Sequence, residues 1–473
     1  MKTPLDYFKE ISKIPHPSFH EEKLALWVVE FAKELGLKYR VDDVFNVIVF
    51  KPASPGYENA KTVMLQAHLD MVPEKTPDSD HDFLTDEIKL IEEDGILRAD
   101  KTTLGADDGV GVAYMLAILA DNTLAHPPLE CVFTVMEEVG LIGAIKLDTS
   151  NLKSSYCIGL DSSGDNQIVV SCSGGVRGEI FLKREYLETD LPALEISVRG
   201  LLGGHSGALI DLQRANGLKV LGNILALLEK EVPITIAKLD GGSKENAIAR
   251  DAQAIITYQS NDYAKIKELL TFYEKELKIQ YATSDPGLKI LSEEAAVEKH
   301  FTQKLSNDLI KLLVALPYGT RFKDKGLDDL VVNSANLGVV EVVDDNLRIG
   351  ASYRAPQNFV LDLTINEVDT IVTALGHKMN FLARYPGWTY EPDSPLRKKL
   401  KAVYYEMFQE EMVEFATQGG VELGVLKGKM PELDLLGIGP NSHDAHTPDE
   451  HLELASFEKT YQVLLALLAD LKD

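Results

Sequence analysis

Five short segments of this 473-residue chain carry side chains that hold cations or move protons. The first is His68-Leu69-Asp70, which closes an apolar run. Residues two apart on a strand share a face. Asp70 can therefore orient or polarise the His68 ring while its other nitrogen takes a metal. The second is Gly105-Ala106-Asp107-Asp108-Gly109, two adjacent carboxylates between glycines at a helix entry. One carboxylate has two oxygens and can bridge two cations. The third, Met136-Glu137-Glu138-Val139-Gly140, follows another apolar run. Two acids at a buried strand end are costly unless a cation or a role as base offsets them. The fourth is Asp161, after Tyr156-Cys157-Ile158-Gly159-Leu160, and the fifth is Asn441-Ser442-His443-Asp444-Ala445-His446. Singly, each has a plainer reading: a satisfied strand-end histidine, a helix cap, a solvated acidic loop. Together they form an N/O donor set that suits two Zn²⁺, Co²⁺ or Mn²⁺ ions. The three cysteines lie at no zinc-ligand spacing.

The elements that must position these groups follow from periodicity. Apolar residues at helical spacing predict a helix over 21–35, stopped by Gly36, and an apolar helix over 109–120. Short apolar runs predict strands at 44–50, 62–67, 129–135, 156–160 and 433–438. Four of the five segments sit at or just after a strand end, where open parallel sheets build sites. Buried strands between helices predict an α/β catalytic domain with a mainly parallel sheet covered on both faces. From about residue 180 the strands become longer and more polar (193–200, 252–259), with helices expected at 211–230, 263–277 and 367–384. That texture predicts an inserted α+β domain with its exit at Tyr385-Pro386-Gly387-Trp388. The division expected is 1–183 and 389–473 for the catalytic domain and 184–388 for the insert. A closing helix is expected to start at Thr447-Pro448-Asp449-Glu450, with Thr447 as cap and Glu450 completing a capping box.

Composition excludes several classes. Lys and Arg total 48 against 74 Asp and Glu, a formal charge of −26, which repels phosphate backbones and anionic membranes. Neither a nucleic-acid partner nor a membrane partner is expected. An odd number of cysteines in a long chain fits reduced thiols. The first residues lack the apolar run of a signal peptide, and no run of about 18 apolar residues occurs. The expected location is the cytoplasm.

In combination and order, these segments resemble the co-catalytic metallopeptidases of the M20 family. The match runs through His68-Leu69-Asp70, Gly105-Ala106-Asp107-Asp108-Gly109, Glu137-Glu138-Val139-Gly140-Leu141-Ile142-Gly143-Ala144, Asp161 and Ala445-His446-Thr447-Pro448-Asp449-Glu450. Leu65-Gln66-Ala67-His68-Leu69-Asp70-Met71-Val72-Pro73-Glu74-Lys75 and 99–107 are similar to its aminoacyl-histidine dipeptidase branch (peptidase D, carnosinase-like). The resemblance implies two metals, most simply Zn²⁺. His68 and Asp161 would hold one, Glu138 and His446 the other, and Asp107 would bridge them. Asp70 would orient His68, and Glu137 would act as general base toward a metal-bound hydroxide. It implies that the Asp107–Asp108 peptide is cis. On the insert, acting as a lid, it implies substrate contacts by His205 in Gly203-Gly204-His205-Ser206-Gly207, by Asn246, and by Arg354, whose fork suits a carboxylate.

The chain departs from that branch in two places. Gln418-Gly419-Gly420-Val421-Glu422-Leu423-Gly424 has Gln418 where the branch has a histidine. Glu422 is retained and is expected near the substrate amino group. His443 stands as a rival to His446. The expected activity is hydrolysis of a small peptide, Xaa-His or a similar dipeptide. The alternatives are a tripeptidase or an N-acyl-amino-acid deacylase of the same family. A non-catalytic binding protein on the same fold is disfavoured by retention of Glu137. A homodimer is left open.

Overall fold

The computed structural model describes residues 2–324 and 330–472. It divides into two compact units. The first comprises Met1–Cys172, Trp388–Ala416 and Val421–Asp473; the second comprises Ser173–Gly387 and Thr417–Gly420.

The first unit is built on an eight-stranded sheet. At its centre four strands run parallel, in the spatial order Leu129–Thr134, Val63–His68, Tyr156–Gly159, Asp434–Gly437. These are the short apolar runs of the sequence, and all but one of their residues are buried. Parallel strands buried on both faces carry no polar alternation. The flanks are not parallel. Val47–Lys51 pairs antiparallel with Leu129–Thr134, and Lys38–Val41 pairs antiparallel with it in turn. On the other side Gln167–Cys172 pairs antiparallel with Asp434–Gly437. The register sets His68 opposite Thr134, and Gln66 opposite Gly159. The chain segments that leave these strands therefore start level with one another.

Helix Ala106–Ala120 is apolar all round and buried nearly throughout. It lies close to the sheet because Gly111 has no side chain. A Cβ there would stand 2.7 Å from the Leu160 Cβ and 2.9 Å from the Ala67 Cβ. Helices Pro4–Ile11, Glu22–Glu34, Pro395–Phe408 and Leu454–Asp470 contribute Phe8, Leu24, Val28, Leu400 and Leu464 to the same core.

The second unit carries a nine-stranded sheet whose described pairings are all antiparallel. Its core packs Leu221, Leu225, Leu309, Leu361 and Val372, from helices Gly217–Glu231, Gln303–Ala315 and Asn358–Ala374, with strand residues such as Ile196, Ile256 and Ile349.

Four expectations are corrected. Strand Gly174–Lys183 lies before the boundary drawn from the sequence. It pairs with Asn346–Ala355 and Met379–Tyr385, so it belongs with the second unit. The helix expected over 367–384 is two elements. Helix Asn358–Ala374 ends at Leu375, Gly376 takes φ +81°, and Met379–Tyr385 is a strand. The helix expected from residue 211 starts at Gly217, where the Asn216 side chain accepts from the Lys219 N–H at 3.2 Å. The last helix starts at Leu454, not at Pro448. Residues His451–Glu453 form a strand instead, paired with Ile96–Ala99, and Glu450 is directed elsewhere, as described below.

Among the described residues no helix is long and apolar enough to cross a membrane. All three cysteines are free and buried.

Candidate metal centre and active site

His68 is the last residue of its strand and is buried. Its Nδ1 sits 3.0 Å from the Asp70 backbone carbonyl and 3.5 Å from Asp70 Oδ1. Both neighbours are acceptors, so Nδ1 carries the proton and Nε2 faces outward. Nε2 lies 2.9 Å from Asp107 Oδ1 and 3.9 Å from Asp161 Oδ2. The other oxygen of Asp107, Oδ2, lies 3.2 Å from His446 Nε2. His446 Nε2 is also 2.9 Å from Glu138 Oε1. One carboxylate thus shows one oxygen to each imidazole, and each imidazole has a second acid beside it. His68, Asp107 and Glu138 offer donor atoms within 4.8 Å of one another.

Asp107 and Asp108 depart from helical angles at the helix entry, and the peptide between them is cis. Asp108 turns inward, where its carboxylate accepts from the backbone N–H groups of His68 at 3.2 Å and Gly111 at 3.0 Å. Asp107 is left facing the two rings.

Asp70 does more than orient His68. Its carboxylate accepts from the backbone N–H groups of Glu137 at 2.9 Å and Glu138 at 3.2 Å, and from the Ser18 hydroxyl at 2.8 Å. Buried Glu21 adds an oxygen to the same loop, accepting from Met136 N–H at 3.0 Å. The two glutamates are held by their backbones, which leaves their carboxylates for other work.

The electrostatics describe a site short of positive charge. Burial would raise Asp107, but hydrogen bonds with His446 and His68 outweigh it and hold that carboxyl well below the usual range. Burial would lower His68, but Asp107, Asp70 and Asp161 outweigh it and hold the ring well above its ordinary value. Hydrogen bonds to Asp107 and Glu138 push His446 up to about 11. Burial and the charge of Asp107 push Asp161 up to about 8. Glu137 is raised well above the carboxylate range by burial and by Asp161, Glu138 and Glu422. Carboxylates crowded this closely raise one another, a mutual repulsion that divalent cations would offset. Glu138 Oε1 adds an independent sign. That atom is buried, and the His446 Nε2 stands 2.9 Å from it. A carboxylate oxygen and an imidazole nitrogen so placed are the donor types that a divalent cation takes, once the ring gives up its proton.

Glu422 belongs to the same unit and is buried. Its Oε2 accepts from Gln66 Nε2 at 2.6 Å and from the Thr134 hydroxyl, while its Oε1 has no partner. Burial pushes it up to about 7. His443 is not part of the cluster: its Nε2 pairs with Glu453 Oε1 at 2.9 Å and its ring stacks on His451.

In the second unit, His205 lies opposite Ala247 in a two-strand pairing, and the Ser206 N–H donates to the Asn246 carbonyl at 2.8 Å. The His205 Nδ1 accepts from Gly207 N–H at 3.2 Å. Burial and the nearby Arg354 lower this ring's pKa, so it stands neutral with Nε2–H as a donor. Arg354 is buried and donates to the Tyr385 hydroxyl at 2.9 Å and the Gln418 carbonyl at 3.1 Å, while its Nε has no partner. His205, Asn246 and Arg354 are thus neighbours within one unit. Ser18, Glu21, Asp108, Glu450 and Tyr385 were not read as site residues from the sequence. Of these, Asp108 stands in the paired-carboxylate segment and Glu450 reads as part of a helix cap; the others carry no site signal.

The sequence pattern of Peptidase family M20/M25/M40 matches residues 64–470. The cytosol non-specific dipeptidase of Escherichia coli (strain K12) is 35% identical over 469 residues, 98% of this chain and 97% of that protein. The crystal structure of aminoacylhistidine dipeptidase from Vibrio alginolyticus superposes with a TM-score of 0.91 at 31% identity, covering 99% of this chain and 96% of that one. Aminopeptidase PepT from Bacillus cereus, 16% identical, shares the fold with a TM-score of 0.57 across 99% of this chain and 98% of that one. An acid- and imidazole-lined sheet end within so long a match defines an enzyme of the metallopeptidase class. The chain belongs to peptidase family M20/M25/M40.

Proposed function

We propose that this metallopeptidase is a dipeptidase, hydrolysing dipeptides of the Xaa-His type and their like, with two divalent ions, Zn²⁺ foremost. His68 and Asp161 would hold one ion, Glu138 and His446 the other, and Asp107 both. The observation that carries this reading is Asp107, whose two oxygens stand 2.9 Å and 3.2 Å from the two imidazoles. When bound, the ions supply Lewis acidity that activates a water and polarises the scissile carbonyl. Glu137 is the neighbour of a ligand and is not one itself. It takes the proton from the attacking water and returns it to the leaving amine nitrogen. Asp70 keeps the Glu137 backbone in place while it does so. Arg354 pairs with the substrate's C-terminal carboxylate, and Asn246 aids binding. Neutral His205 donates to the oxygen that gains charge in the transition state. Glu422, with one oxygen unpartnered, accepts from the substrate amino group.

The similarity to dipeptidases supports the short substrate. The test is an activity panel of Xaa-His and other dipeptides, tripeptides and N-acetyl amino acids, run beside metal analysis of the purified protein. Preference for dipeptides with two ions per chain is expected. Preference for tripeptides or N-acetyl amino acids would overturn the dipeptidase reading, and metal-free activity would overturn the metal assignment.

A further inference from the structure

The sequence offered Glu450 as a helix-capping residue, and the structure gives it another partner. It is 2% exposed, and both its oxygens face the loop that leads into helix Ala106–Ala120. Oε2 accepts from the backbone N–H groups of Leu104 at 2.7 Å and Gly105 at 3.1 Å. Oε1 accepts from those of Ala106 at 2.8 Å and Asp107 at 3.4 Å. Four consecutive N–H groups can converge on one carboxylate here because Gly105 takes φ +73°. Glu450 also closes a turn by donating its own N–H to the Thr447 carbonyl at 3.1 Å. That turn follows directly on His446, which itself takes φ +65°. The backbone of Glu450 is thus continuous with one imidazole of the centre, while its carboxylate grips the loop bearing Asp107. Those two groups meet at 3.2 Å.

We propose that Glu450 is a positioning residue that ties the Asp107 loop to the His446 turn, and so sets the geometry and the affinity of the metal centre. The proposal rests on the metal-centre reading given above. An ordinary anionic cap at a helix entry would raise stability alone. A tie between two ligand-bearing segments must also govern how tightly the ions are held, because partners behind ligands tune metal affinity.

Glu450→Gln separates the two. It keeps the side chain's length but replaces one acceptor oxygen with an amide donor facing two N–H groups. The metal-loaded full chain and the variant are dialysed against graded free Zn²⁺ set by a chelating buffer. Retained metal and melting temperature are then measured. Leu464→Ala, a core truncation in helix Leu454–Asp470, serves as a control for lost stability alone. We expect Glu450→Gln to hold metal about 10–100-fold more weakly, while Leu464→Ala melts earlier but holds metal as the parent does. If Glu450→Gln does not fold, Glu450→Asp, which keeps the charge one methylene short, is read in the same assay with the same direction expected. A folded Glu450 variant that retains metal like the parent, or a Leu464→Ala loss of affinity equal to it, overturns the proposal. A parent chain that binds no Zn²⁺ defeats the metal-centre reading itself.

Discussion

Glu137 and Glu138 are neighbours in sequence with different surroundings. Glu138 Oε1 lies against His446, whereas Glu137 is held by its backbone, its N–H donating to Asp70 and its carbonyl accepting from the Gly140 and Leu141 N–H groups. A base acts on the proton and a ligand acts on the ion, so the two substitutions should separate. Glu137→Ala is expected to lower kcat by about 10²–10⁴-fold with metal content unchanged, read by steady-state kinetics beside metal analysis. Near-normal turnover would remove Glu137 from the role of base. Glu138→Ala should lose metal as well as rate. The two histidines of the last loop separate in the same way. His446 touches two acids of the cluster, while His443 pairs with Glu453 outside it. His446→Ala should cost one ion per chain and His443→Ala none. The reverse count would mean that the loop has been read in the wrong register.

At the scale of elements, the site depends on how closely helix Ala106–Ala120 approaches the strands. Gly111 sets that distance, since a Cβ there would stand 2.7 Å from both Asp108 Oδ1 and Leu160 Cβ. Gly111→Ala should therefore cost about 1–3 kcal/mol of stability through overpacking. It should also weaken metal binding, because Asp108 shares its peptide with Asp107. Chemical denaturation followed by metal titration would check both, and an unchanged midpoint would show that the helix shifts freely. Boundaries are where the sequence was least legible. Residues 358–385 keep helical spacing past Ala374, yet Met379–Tyr385 leaves the helix to pair with Gly174–Lys183. Periodicity cannot register a strand partner some two hundred residues away. The parallel centre of the sheet was legible in its apolar strands, but its antiparallel flanks were not, because strand direction is set by connections and not by composition.

At the scale of the molecule, each unit has its own buried core, and the first also carries the acids of the centre. Metal that binds only the folded chain stabilises it by linkage, by about 2.7 kcal/mol when free ion is 100 times the dissociation constant. Chelation should thus lower the melting temperature as well as abolish activity, and a melting curve unmoved by verified metal removal would contradict this. The raised acids of the metal-free centre should make their contribution to stability depend on pH with one sign. Asp161 and Glu422 keep their protons up to about 8 and about 7 in the folded state. Unfolded acids release theirs near pH ~4. At these two groups the folded state therefore binds more protons across that window, and their contribution to stability should fall as the pH rises from about 4 to about 8. The raised pKa values of His68 and His446 act with the same sign at the upper end. Melting temperatures of the chelated chain at pH 5 and pH 8 would test it, with a higher value at pH 8 as the contrary result.

The sequence by itself determined the chemistry available: which side chains donate N or O, that they follow apolar strands, and that the order of their segments is that of a known family. Those are local properties, written in residue type and spacing. Tertiary structure decided which groups meet. Asp107 faces two rings because His68 and His446 reach it from segments 39 and 339 residues away. Glu450 abandons the helix cap its neighbours advertise for four N–H groups more than 340 residues upstream. Glu422 finds Gln66 across the sheet at a separation of 356 residues. A buried carboxylate goes where donors converge, and donors contributed by distant backbone leave no mark in the sequence around it.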